Sequence, residues 1–87
     1  MDEILLNKIE QKIRDSISNQ NDIKELIKSL STIDNSQSFA LGIIVGRLYN
    51  TFFYQSKRIL KREPTKQEFE DFLKFIVNKK SDLEHLW

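Results

Sequence analysis

Proline occurs once in this chain, at position 64, and glycine twice, at positions 42 and 46. A β-protein needs turn chemistry between its strands, and no glycine, proline or Asn-Gly turn here separates two alternating apolar runs. The apolar residues instead recur at helical spacing from one end to the other. The expected fold is all-α, a small helical bundle of four main helices at about 2–18, 22–33, 38–62 and 65–79. A short C-terminal turn follows, and the long third helix lies at the centre. No repeat, low-complexity tract or linker divides the chain, so residues 1–87 read as a single domain.

Each segment carries local signals. In the first, Leu5, Ile9, Ile13 and Ile17 repeat every four residues beside Leu6, and Asp2 and Glu3 occupy the turn where the helix dipole favours negative charge. Asn19-Gln20-Asn21 ends it. Asp22 with Glu25 has the capping-box spacing for the second helix, whose apolar stripe is Ile23, Leu26, Ile27, Leu30 and Ile33. Residues 31–38, rich in Ser, Asn and Asp, read as a loop. Ser36 or Ser38 caps the third helix, and Glu63-Pro64 stops it, because a residue before proline is pushed out of the helical region. Thr65 and Glu68 form the capping box of the fourth helix, with Phe69, Phe72, Leu73, Phe75 and Ile76 as its buried face. Ser81 with Glu84 is placed to cap the last turn, carrying Leu83, Leu86 and Trp87.

The third helix differs between its halves. At about 100° per residue, Leu41, Val45, Tyr49, Phe52, Ser56, Ile59 and Leu60 fall on one side. Opposite them the second half carries Arg47, Thr51, Tyr54, Arg58 and Lys61, a solvated face. The first half carries Ala40, Ile43 and Ile44 there, so residues 39–46 are apolar all round and are expected to be buried. Either the other three helices or a second copy of the chain must cover them.

The only alanine and both glycines lie in this stretch, at 40, 42 and 46. Interior glycine costs about 1 kcal/mol relative to alanine, so Gly42-x-x-x-Gly46 calls for a reason. Close packing within the chain, a symmetric helix–helix contact between two chains, and a hinge would each supply one.

Catalytic chemistry has little to stand on. Without cysteine there is no disulfide, thiolate metal site or thiol nucleophile. Gly46 is followed by Arg-Leu rather than Lys-Ser/Thr, so the glycines do not form a phosphate loop. His85 is the lone histidine, and Glu84 beside it points to another helix face. No metal site, cofactor or catalytic residue is expected, and the chain reads as a non-enzyme. Glu68, Glu70 and Asp71 fall in a first helical turn, where capping and the dipole explain them.

The formal charge of +1 conceals an uneven distribution. Residues 1–34 carry net −2, residues 57–66 net +4 and residues 67–87 net −2. Arg47, Tyr54, Lys57, Arg58, Lys61 and Arg62 thus outline a basic face at one end of the long helix. Lysine and arginine in a last turn complement the exposed carbonyls there without any ligand. Equally, a basic face with an aromatic can hold a phosphate backbone and stack a base, or dock an acidic protein surface. A helix-turn-helix is disfavoured, since Glu68, Glu70 and Asp71 would open its recognition helix toward phosphates.

The sequence therefore reads as a small interaction or assembly protein, a homodimer formed around Ala40, Gly42, Ile43, Ile44 and Gly46. Nucleic-acid binding through the basic face around residues 47–66 is the alternative. The acidic opening Met1-Asp2-Glu3 is unlike a secretory signal, and no apolar run is long enough to span a bilayer, so a cytoplasmic protein is expected.

Overall fold

A computed structural model describes residues 1–30 and 35–84. Among these residues there are four α-helices and no strand: α1 (Glu3–Ser18), α2 (Gln20–Ser29), α3 (Ser36–Leu60) and α4 (Lys66–Glu84). The expected all-α bundle is present, with the long third helix against all three others. At a rise of about 1.5 Å per residue, the 25 residues of α3 account for most of the molecule's 40 Å length, and the cross-section is 20 × 20 Å.

Helix boundaries follow the caps. Asp2 accepts a hydrogen bond from the Leu5 N–H at 2.9 Å and starts α1. The break between α1 and α2 is the single residue Asn19, whose N–H returns to the Asp15 carbonyl while its own carbonyl accepts from Ile23. Helix α2 therefore begins at Gln20, and Asp22 lies inside its first turn instead of capping it. Glu25 pairs with Lys28 at 3.9 Å, and the expected Asp22–Glu25 box does not form. Asn35, not Ser36 or Ser38, caps α3 by accepting from the Ser38 N–H at 2.9 Å. Helix α3 stops at Leu60 because Lys61 turns left-handed, with φ 61° and ψ 26°. That is two residues short of the expected Arg62.

The start of α4 is as read from the sequence. Thr65 Oγ1 accepts from the Glu68 N–H at 3.1 Å, and a Glu68 carboxylate oxygen accepts from the Thr65 N–H at 2.9 Å. Its end is not. Helix α4 runs unbroken past Ser81 to Glu84 and forms no separate last turn. Leu83 continues the face of Phe72 and Ile76 and is buried, while the Gln37 side chain donates to the Glu84 carbonyl at 3.2 Å. The end of α4 thus meets the start of α3, and the two helices are antiparallel. Ile33, His85, Leu86 and Trp87 lie outside the described residues.

All four helices feed one core: Leu5 and Ile9 from α1, Ile23 from α2, Ile44, Leu48 and Phe52 from α3, Phe72 and Leu83 from α4. Phe52 and Phe72 stack at 4.5 Å between centroids, and the rings of Phe69 and Phe72 each meet Tyr49 edge-on at 6.2 Å. The expected stripes of α1, α2 and α4 are right in position and too wide, and that of α3 is turned. Ile17 stays 46% exposed while its neighbour Ser16 is buried, and Leu26, Leu30 and Leu73 also remain exposed. On α3 the inward arc is Ala40, Ile44, Leu48, Thr51, Phe52 and Ser56. Thr51, expected on the solvated face, is buried, and Tyr49, expected inside, is 47% exposed.

The region 39–46 is accordingly not buried all round. Helices α1, α2 and α4 take up one half of the α3 circumference and leave Phe39, Gly42 and Gly46 open. A helix end near solvent needs cover only where its neighbours reach it.

Candidate interaction surfaces on the central helix

The five small and apolar residues of the first half of α3 divide between two faces. Ala40 and Ile44 are fully buried in the bundle, Ile43 is half-buried, and Gly42 and Gly46 are exposed. A Cβ built on either glycine would meet no described atom within 4 Å beyond the adjoining helix. Among the described residues nothing approaches the glycines closely; Ser16, Ala40, Thr51 and Ser56 are the small side chains at buried positions there. Phe39, 38% exposed, and Tyr49 flank the glycines on the open face, so positions 39, 42, 46 and 49 form one seam at alternating spacings of three and four.

The second half of α3 carries the basic face, and the six expected residues do not act as one group. Tyr54 is 59% exposed and stands between two clefts. The first, of about 450 Å³, is lined by Asn50, Phe53, Tyr54, Lys57 and Arg58. Lys57 holds its ammonium 5.7 Å from the centre of the Phe53 ring, a cation–π contact that keeps the charge at the cleft wall. The second, of about 310 Å³, lies between α1 and α3, where Lys8, Gln11, Lys12 and Asp15 face Asn50, Thr51, Tyr54 and Gln55. Lys12 lies 4.0 Å from the Asp15 carboxylate, which also accepts from Gln11 at 3.0 Å.

Arg62, Lys61 and Arg47 line neither cleft. Arg62 is turned to α4, where its guanidinium donates to both carboxylate oxygens of Glu68 at 2.6 and 3.3 Å. That bond, with the Thr65 N–H, holds Glu68 well below its ordinary 4.5, at about 2, and the paired Arg62 is held above its ordinary value. Lys61 is exposed at the left-handed cap, and Arg47 is half-buried a turn and more before Tyr54. Four cations thus remain around Tyr54, against one carboxylate, and two of them, Lys8 and Lys12, come from α1. Reading the long helix alone missed them. Their i, i+4 spacing beside the α1 stripe was visible, but only docking decides which flank of α1 lies next to Tyr54.

Among the described residues no three His, Cys, Asp or Glu side chains converge to hold a metal ion, and no helix is long and apolar enough to cross a membrane. No protein family, curated protein or solved structure was found to match this chain.

Proposed function

We propose that this is a non-catalytic cytoplasmic assembly protein that self-associates through the open face of α3. The observation that carries the reading is the exposure of Gly42 and Gly46 with none of the described residues over them. Two interior glycines cost about 2 kcal/mol of helix stability against alanine, and no contact among the described residues offsets it. A second helix laid along the seam would do so, because bare glycines let two backbones approach closely. Phe39 and Tyr49 on the same seam supply apolar and aromatic area, and aromatic side chains are favoured at such contacts. Spacing of three and four residues suits a shallow crossing of two helices. Ala40 and Ile44, committed to the core of their own chain, support the seam from behind rather than touching the partner.

Sedimentation equilibrium over a concentration series tests the reading. The expected result is a mass rising from one chain toward two, shifted back to one chain by Gly42→Leu with Gly46→Leu. A single-chain mass at every concentration, or a wild-type dimer that the double substitution leaves intact, would overturn it.

A further inference from the structure

We propose a second surface, independent of self-association: the ridge around Tyr54 binds single-stranded polynucleotide, with phosphates over the two clefts and a base on the tyrosine ring. The juxtaposition is tertiary. Lys57 and Arg58 lie on one side of Tyr54, and Lys8 and Lys12, from another helix, on the other. A strand crossing the ridge meets cations before and after the aromatic, the arrangement that tracks a backbone while a base stacks. Asp15 is the single carboxylate at either cleft, and it is engaged by Lys12 and Gln11 at one edge. The cations of the first cleft have no such neighbour among its lining residues.

Polynucleotide fits better than an acidic protein because of Tyr54. More than half exposed between two clefts, it offers a ring face. Carboxylates gain little from such a ring, whereas every base has a face to lay on it. Duplex is disfavoured, since its bases are already stacked on one another. Arg62 takes no part, because Glu68 holds it at the other end of the turn. The glycine seam lies in the first half of α3 and the ridge in the second, and Tyr49 stacked on Phe53 at 6.4 Å marks where the two meet.

The test is fluorescence anisotropy with labelled oligothymidylate and oligouridylate of about 15 nucleotides, which also separates DNA from RNA. Binding should weaken steeply with salt. Lys57→Ala and Lys8→Ala should each make the logarithmic salt slope shallower by about 0.7. Tyr54→Ala should weaken binding on the order of tenfold, and Tyr54→Phe should restore it. All three side chains are exposed, so circular dichroism should show unchanged helix content. Two results would overturn the proposal: no binding of either oligonucleotide at low salt, or binding indifferent to Tyr54→Ala that polyglutamate displaces as readily as unlabelled oligonucleotide. The second assigns the ridge to an acidic protein.

Discussion

The Arg62 guanidinium and the Glu68 carboxylate meet at 2.6 Å across the turn between α3 and α4. The same carboxylate accepts the Thr65 N–H, so one side chain closes the capping box of α4 and ties the end of α3 to it. Both bonds favour the ionised form, which is why Glu68 titrates at about 2 rather than its ordinary 4.5. A depressed carboxylate contributes stability that is fully present above the unfolded value and lost as pH falls through the folded one. The urea midpoint should therefore decline between pH 4.5 and about 2, and Glu68→Gln should flatten that decline. Thr65→Ala should lower stability by about 1 kcal/mol at neutral pH.

Two buried serines should respond oppositely to removal of their hydroxyls. Ser16 Oγ donates to the Lys12 carbonyl at 2.9 Å, whereas Ser56 Oγ is buried with no hydrogen-bond partner among the described residues. An unsatisfied buried polar group costs about 1–3 kcal/mol, and a typical satisfied bond contributes about 1 kcal/mol. Ser56→Ala should raise the thermal midpoint, and Ser16→Ala should leave it unchanged or lower it.

The glycine seam makes a prediction that separates folding from association. Because a Cβ meets no described residue at either position, Gly42→Ala and Gly46→Ala should each stabilise the dilute, single-chain form by about 1 kcal/mol. Concentrated protein should show the reverse trend in association. Denaturation at two concentrations, read beside sedimentation mass, checks both.

Lys61 holds a left-handed conformation that glycine adopts freely and other residues adopt at a cost of roughly 1 kcal/mol. Lys61→Gly should therefore stabilise the chain by about that amount. Denaturation by urea measures it.

Phe72 joins α4 to the core through its stack on Phe52 and its edge contact with Tyr49. Phe72→Ala should cost about 3–5 kcal/mol, a large share of the stability of so small a domain. Loss of the cooperative melting transition is the expected observation.

Much of this architecture was legible without coordinates, and the legible part is local. Four helices follow from period and the scarcity of breakers, and the Thr65–Glu68 box from two side chains three positions apart. Where a local signal had a competitor, the structure chose otherwise. Asn19 ended one helix and began the next ahead of Asp22, Asn35 displaced the serines as a cap, and Leu83 drew α4 through Ser81. Of the eleven residues expected to form the two surfaces, Ala40 and Ile44 turned inward and Arg62 went to Glu68, while Lys8 and Lys12 entered from α1.

By itself, then, the sequence determined the helices, their approximate ends and the uneven charge along them, because hydrogen bonding, capping and periodicity act within a few residues. Which half of α3 is covered was decided by tertiary structure alone. Helical spacing says that apolar positions share a face, but burial requires a neighbour, and three helices packed on one side leave the glycines on the other and Tyr54 at the edge beside α1.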